Sequence, residues 1–305
     1  MTQKTIRIGT RKSPLALTQA NITASYFVQR NMPFEIVPIV TSGDRLKNKN
    51  LADFGGKYLF TKEIEEALLT HQIDIGVHSM KDVETWLHDD LTIPCILSRE
   101  DARDAFISRD GTFFQNLKHG AILGTSSIRR AAQALSQRPD LHVVPFRGNV
   151  DTRLEKLQNG VADATFLAYA GLKRLGKEHL ATEVFDHEYM IPAAGQGAIG
   201  LECRRADSDI ISWLKEFNHM PSYQCIHAER AVLEGVIGKC HTPIGVYAEI
   251  QNHQIILSCL AIPPDGQQMY HKTMTEPWPN ILKSAQRVGE ELRTWYIANA
   301  PQALC

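Results

Sequence analysis

The chain has 305 residues, with 33 Lys and Arg against 34 Asp and Glu, a formal net charge of −1. That balance excludes a global field for nucleic acid or a membrane surface, and no apolar run reaches membrane-spanning length. With 43% hydrophobic and 22% charged residues, the composition is that of an ordinary globular protein of two or three domains.

The start, Met1-Thr2-Gln3-Lys4-Thr5-Ile6, lacks a signal-peptide apolar region. Ile6-Arg7-Ile8-Gly9 reads as a first strand. After Thr10-Arg11-Lys12, Ser13 suits an N-cap and Pro14 the first position of a helix running to about Arg30. Basic residues at a helix start oppose the helix dipole, which is easier to accept beside an anionic ligand. Phe34 to Val40 is a second strand. Thr41 to Phe60, with Gly55-Gly56-Lys57, is a long loop of the kind that is either a functional lid or disordered. A short helix, Thr61 to Leu69, leads to a buried strand, Ile73 to Val77. That strand runs straight into His78-Ser79-Met80-Lys81-Asp82, a charged turn where open α/β sheets bind ligands. Leu91 to Leu97 is a further strand, and Ser98 to Asp104 a charged interdomain crossing.

The pattern then repeats. Ala121-Ile122-Leu123-Gly124 is a strand, and Thr125-Ser126-Ser127-Ile128-Arg129-Arg130 opens a helix that again carries cations in its first turn. His142 to Pro145 leads into Arg147-Gly148-Asn149, where Asn149 or Asp151 caps a helix to about Gln158. Ala162 to Phe166 echoes Ile73 to Val77 and ends near Lys173-Arg174. The small, glycine-rich Pro192 to Gly197 suits a second crossing, and Ala198 to Cys203 a strand returning to the first sheet, with Arg204 after it. Pro221 to Leu233 is a helix. Val246 to Ile250, Gln254 to Ala261 and about Gln268 to Thr275 are antiparallel strands, and Trp278 to Ala298 is mostly helical.

The expected architecture is α/β: two similar periplasmic-binding-protein-like lobes joined by two crossovers, with a site in the cleft. A small C-terminal α+β domain carries a three-stranded antiparallel sheet. The divisions are 1–97 plus 198–217, 103–191, and 220–305. Ten cations fall at strand ends or helix starts: Arg11, Lys57, Lys81, Arg129, Arg130, Arg147, Arg153, Lys173, Arg174 and Arg204. Facing one cleft they need counter-charge, and arginine forks favour carboxylate or phosphate. Neither G-x-x-x-x-G-K-[ST] nor G-x-G-x-x-G occurs, so a polycarboxylate is a better ligand than a nucleotide. Asp82 is the candidate for cation and proton handling. The six cysteines contain no C-x-x-C pair, so neither a zinc site nor a disulfide framework is suggested, and a reducing, cytoplasmic compartment is the simplest inference. Cys95, Cys203, Cys225 and Cys259 read as buried filler, whereas Cys240 sits on a loop between Gly238 and Pro243-Ile244-Gly245.

Val77-His78-Ser79-Met80-Lys81-Asp82, Gly124-Thr125-Ser126-Ser127-Ile128-Arg129-Arg130, Arg147-Gly148-Asn149 and Cys240-x-x-Pro243-Ile244-Gly245 together resemble the hydroxymethylbilane synthase (porphobilinogen deaminase) family over about residues 5–265. The resemblance implies a dipyrromethane cofactor bonded through a thioether to Cys240. It implies stepwise condensation of four porphobilinogens, with loss of ammonia, to linear hydroxymethylbilane on the route to haem and other tetrapyrroles. It places Asp82 as the catalytic group. Lys81, Thr125, Ser127, Arg129, Arg130, Arg147 and Gly148 hold the cofactor, and Arg11, Ser13, Gln19, Lys57, Arg147, Arg153, Arg174 and Gln196 hold substrate. It implies no metal, no nucleic acid or membrane partner, and a cytoplasmic monomer. Lys239, Tyr58 and Asp53 depart from the family pattern. A periplasmic solute receptor would share the two lobes but has no use for Cys240 or Asp82. A thiol enzyme using Cys240 with His241 or His78 as base is disfavoured: His241 is a sequence neighbour, and neighbours seldom align as nucleophile and base, while His78 reads as structural.

Overall fold

The computed structural model describes residues 5–45, 60–236, 243–264 and 266–299. Lys57 and Cys240 lie outside the described residues, as do Asp53, Tyr58 and Lys239. The chain falls into two compact units, residues 1–100 with 198–223, and residues 101–197 with 224–305.

The first unit opens with β1 (Ile6–Arg11), α1 (Pro14–Val28), β2 (Phe34–Ile39) and the single turn α2 (Ser42–Arg45). It continues through α3 (Lys62–Leu69), β3 (Ile75–Ser79) and β4 (Leu91–Ile96). The second contains β5 (Asp104–Ser108), β6 (Ile122–Gly124), α4 (Ile128–Gln137) and β7 (His142–Val144). α5 (Val150–Gln158), β8 (Ala164–Ala168), α6 (Tyr169–Arg174) and β9 (Glu183–Val184) follow. The chain returns to the first sheet as β10 (Ile199–Arg204) and α7 (Ser208–Phe217). It finishes with α8 (Met220–Gly235), β11 (Ile244–Gln251), β12 (Gln254–Ala261), β13 (Tyr270–Glu276) and α9 (Ile281–Asn299).

Two five-stranded sheets have matching topology, β2-β1-β3-β10-β4 and β7-β6-β8-β5-β9, and a third has the order β11-β12-β13. β1 pairs in parallel with β2 and β3, and β6 with β7 and β8. β10 lies antiparallel to β3, and β5 antiparallel to β8. In each α/β sheet the fourth strand runs antiparallel to the third; in the first sheet it is β10, which returns from beyond the second sheet, and in the second it is β5, which opens that lobe. The return of 198–203 was expected. β5 was not: the crossing stops at Arg103, and Asp104 already opens a fully buried strand. α7 and β9 are also additions to the sequence reading.

Burial explains the elements. Ile6, Ile8, Phe27, Ile75, Val77 and Leu201 close over the first sheet. Four rings, Phe106, Phe114, Phe166 and Phe185, pack with centroids 5.4 to 6.1 Å apart in the second, a geometry that favours aromatic contact. β12 sets Ile255, Leu257, Cys259 and Ala261 against Val288, Leu292 and Tyr296 of α9, the period-two pattern of a one-sided sheet. Cys95, Cys203, Cys225 and Cys259 are buried free thiols. Burial pushes Cys95 and Cys203 up to about 12 and Cys259 up to about 11, which makes them inert filler. Among the described residues no helix is long and apolar enough to cross a membrane.

Candidate active site

In the first lobe the site residues follow β1 and β3. Ser13 caps α1, its Oγ accepting the Ala16 N–H at 3.3 Å, with Pro14 in the first turn. The Thr10 hydroxyl donates to Ala16 O at 3.1 Å and fixes the same turn. The Arg11 guanidinium lies 4.1 Å from the centroid of the Phe60 ring, a cation–π contact that offsets its place before a helix N-terminus. Gln19 is buried, and its amide meets the Ser79 hydroxyl through Nε2 at 2.8 Å and Oε1 at 3.1 Å. That contact ties the end of β3 to α1.

Beyond Ser79 a single 3-10 turn, Met80–Asp82, carries the charged pair. Met80 is buried and points back into the lobe, while Lys81 and Asp82 are exposed. Gly200 makes the turn possible: a Cβ there would lie 2.2 Å from the Met80 sulfur. Beneath the turn, His78 Nε2 and Glu202 Oε2 are 2.9 Å apart and both side chains are buried. His78 thus has a structural carboxylate partner.

In the second lobe Thr125 receives the Ser127 N–H on its Oγ1 at 3.1 Å and donates its own N–H to Val144 O at 3.0 Å. Ser127 caps α4 through the Arg130 N–H at 3.4 Å, and the Ser126 hydroxyl accepts the Phe146 N–H at 2.9 Å. Gly148 has φ of 127°, and a Cβ there would meet the Thr152 side chain at 2.6 Å, so the turn between β7 and α5 requires glycine. Asn149 caps α5 by accepting the Thr152 N–H at 2.8 Å. Arg153 Nε donates to Gly148 O at 3.0 Å, and Lys156 Nζ to Arg147 O at 3.0 Å. Arg174 ends α6, where cations suit the dipole, and its Nη2 donates to Gly197 O at 2.7 Å.

Arg129 and Arg130 look inward. Arg130 Nε and Nη2 donate to Asp104 Oδ1 at 3.0 and 2.6 Å, and Nη1 donates to Phe166 O at 3.0 Å. Arg129 Nη1 lies 2.7 Å from Asp104 Oδ2 and donates to Ile191 O at 2.8 Å. Burial acting alone would raise the Asp104 carboxyl; the two guanidiniums outweigh it and hold the group well below the usual carboxylate range. The anion that two arginines in the first turn of a helix call for is thus in part internal. Asp104 is the residue that sequence reasoning missed. Its one signal was an aspartate opening an apolar run, Asp104-Ala105-Phe106-Ile107. Gln196 is also buried, donating through Nε2 to Ala102 O at 2.7 Å and Asp104 Oδ1 at 3.0 Å.

The expectation that Arg204 joins the strand-end cations is corrected. β10 runs antiparallel to β3, with Ile199 opposite Ser79, so Arg204 lies at the far end of the sheet from Asp82. It is buried there against Asp74 at 3.3 Å and Asp207 at 2.6 Å, and donates to the carbonyls of Leu68 and Ile73. The other described site residues gather at the carboxyl ends of β1 and β3 in one lobe and of β6, β7 and β8 in the other, apart from Gln196, which precedes β10.

These features define an α/β protein with two lobes of matching sheet topology, a C-terminal α+β module and cationic strand ends. The family described as porphobilinogen deaminase, dipyromethane cofactor binding domain, matches residues 6–212, and the porphobilinogen deaminase C-terminal domain matches residues 223–294. The chain belongs to the porphobilinogen deaminase family. It is 45% identical to the porphobilinogen deaminase of Lysinibacillus sphaericus over 95% of this chain and 92% of that protein. It is 45% identical to that of Paracoccus denitrificans over 95% and 94%, and 44% identical to the chloroplastic enzyme of Oryza sativa over 94% and 83%. A periplasmic substrate-binding protein of an ABC transporter from Coxiella burnetii aligns with 71% of this chain and 93% of its own at 13% identity and a TM-score of 0.43. Strand order and register define the fold.

The donors present fit the family's cofactor. A dipyrromethane bearing acetate and propionate groups needs several cationic or N–H donors for its carboxylates. The second lobe offers the capped N-termini of α4 and α5 together with Arg147, Arg153 and Arg174, donors suited to such anions.

Proposed function

We propose that this chain condenses four porphobilinogen molecules head to tail, releasing ammonia at each step, onto a dipyrromethane attached through a thioether to Cys240. The product is linear hydroxymethylbilane for tetrapyrrole synthesis. The observation that carries this reading is the cofactor-domain match over residues 6–212, which spans both the Asp82 turn and the Arg129-Arg130 helix start. When bound, the dipyrromethane supplies the nucleophilic pyrrole carbon that accepts the first monomer.

The chain's own residues have separable tasks. Asp82, exposed on its short turn, stabilises the cationic pyrrole formed as ammonia leaves the incoming monomer and takes part in proton movement. Lys81 beside it holds a carboxylate. Thr125, Ser127, Arg129, Arg130, Arg147 and Gly148 hold the cofactor. Arg11, Ser13, Gln19, Lys57, Arg153, Arg174 and Gln196 serve the substrate, Gln19 and Gln196 by bracing the turns they bond. The three-domain division at 1–97 plus 198–217, 103–191 and 220–305, a monomeric state and a cytoplasmic location belong to the same reading.

The test is intact mass under denaturing conditions, before and after incubation with porphobilinogen, alongside ammonia release. A mass excess of two linked pyrroles on the Cys240 peptide, with porphobilinogen consumed, is the expected result. Cys240→Ala should give a folded, unmodified, inactive protein. Turnover retained in that variant would refute the anchor.

A further inference from the structure

Asp104 opens β5 with its side chain fully buried. Three groups from two separate parts of the chain converge on its two oxygens: from α4, Arg130 on Oδ1 at 2.6 and 3.0 Å and Arg129 on Oδ2 at 2.7 Å, and from the second connecting segment the Gln196 amide on Oδ1 at 3.0 Å. The same Gln196 nitrogen reaches Ala102 O at 2.7 Å. Ala102 belongs to the first segment that joins the two α/β sheets, and Gln196 to the second. One carboxylate thus holds both connecting segments and the two arginines of the α4 N-terminus.

We propose that Asp104 is a positioning residue of the elongation reaction: it orients Arg129 and Arg130, leaves them one unit of positive charge for a ligand carboxylate, and locks both connecting segments to them through Gln196. The proposal rests on the function proposed above. Two buried guanidiniums against one carboxylate leave a single excess charge, and an anion at a helix N-terminus is what completes such a site. Arg130 has three of its donors committed within the protein. Its orientation is therefore set before any ligand arrives, which is how a site keeps geometry while its ligand lengthens. The two lobes are joined in sequence only through these connecting segments. A fault at the shared carboxylate should slow the steps that follow binding.

The experiment compares the full-length wild-type chain with Asp104→Asn and Gln196→Met. Each is checked for fold by circular dichroism and for dipyrromethane by intact mass. Steady-state kcat and KM for porphobilinogen are measured, together with the distribution of enzyme-bound pyrrole chain lengths after brief incubation. The expected result is a loaded Gln196→Met protein with KM within twofold of wild type. Its kcat should fall at least fivefold, with bound chains piling up at one intermediate length. Asp104→Asn should show the same pattern more strongly where it folds; where it does not, Gln196→Met decides. Unchanged kcat and chain-length distribution would overturn the proposal. A raised KM at unchanged kcat would also overturn it, because it would assign the pair to ligand binding. A wild-type protein with neither adduct nor turnover would refute the function itself, before any variant is read.

Discussion

The two α/β lobes share a topology but not a chemistry. The pairing of Gly9 with Gly76 in the first sheet matches that of Gly124 with Thr165 in the second. In that register Asp74 answers to Asp163: the Asp74 N–H donates to Arg7 O, and the Asp163 N–H to Ile122 O, both at 2.8 Å. Carried forward, the exposed pair Lys81-Asp82 answers to Ala170-Gly171, which are buried in α6. The acid belongs to one lobe alone. The cations of α4, by contrast, stand two and three residues after the Ser127 cap, where the first lobe has Leu15-Ala16 after Ser13. A duplicated fold thus kept its helix caps and divided its charges. The exposed Asp82 lies in one lobe, and the paired helix-start arginines Arg129 and Arg130 lie in the other.

The largest expected effect tests that division at Asp82. Asp82→Asn keeps the size and the exposed position of the side chain and removes its charge. Turnover of porphobilinogen should fall by about 10² or more, the usual weight of a charged or proton-moving group. Cofactor loading and thermal stability should be unchanged, since Asp82 makes no hydrogen bond or ion pair among the described residues. Near-normal turnover would move the acid role elsewhere.

A second effect separates the lobes at their opposite ends. Asp74 is fully buried between Arg7 at 3.0 Å and the buried Arg204 at 3.3 Å. Asp163 keeps 19% of its side chain exposed and faces the outward Lys118 and Arg109 at 3.4 and 3.6 Å. Asp74→Ala removes the buried carboxylate shared by Arg7 and Arg204, with Asp207 left facing Arg204 at 2.6 Å, and should cost about 3 kcal/mol, the low end for a broken buried pair. Asp163→Ala loses a 2.8 Å hydrogen bond from the Ile122 N–H and two weak surface pairs, about 1–2 kcal/mol. Urea unfolding of both variants measures the gap, and equal costs would refute the contrast. The pH dependence has a definite sign. The Ile122 N–H, then Lys118, hold the Asp163 carboxyl below 3.8 against the opposing effect of burial. The stability it contributes is present above pH 3.8 and lost as pH falls through the lower folded value. Asp163→Ala should therefore flatten the acid limb of the stability curve.

Much of this organisation was legible in the sequence, because the signals were local. Ser13-Pro14 and Asn149 announce helix starts within four residues, and Val77 to Asp82 shows an apolar strand giving way to charge. What stayed hidden was non-local. Arg204 looks like another strand-end cation until the antiparallel direction of β10 and its partner Asp74, 130 residues away, are known. Arg130 looks like a free ligand arm until Asp104, 26 residues away, is seen to hold it. The sequence displays a charge but not its distant counter-charge. For the same reason β5, which pairs only with strands later in the chain, read as part of a crossing.

The smallest effect asks whether the lobes remain alike where their chemistry does not diverge. Ser13 and Ser127 both cap the first helix after an equivalent strand, with hydroxyl acceptors 3.3 and 3.4 Å from the N–H they satisfy. Bonds at that length are weak, so Ser13→Ala and Ser127→Ala should each cost about 0.5–1 kcal/mol, the low end for an N-cap. Urea midpoints should shift by similar amounts at unchanged slope. The helices differ in ways that could break the match: α1 has fifteen residues with Pro14 in its first turn, whereas α4 has ten and buries Arg129 and Arg130 against Asp104. If the arginine pair anchors the α4 start, the hydroxyl there is partly redundant and Ser127→Ala should be the milder of the two. A markedly larger cost for Ser127→Ala would mean that the cap holds the arginines in place rather than the reverse.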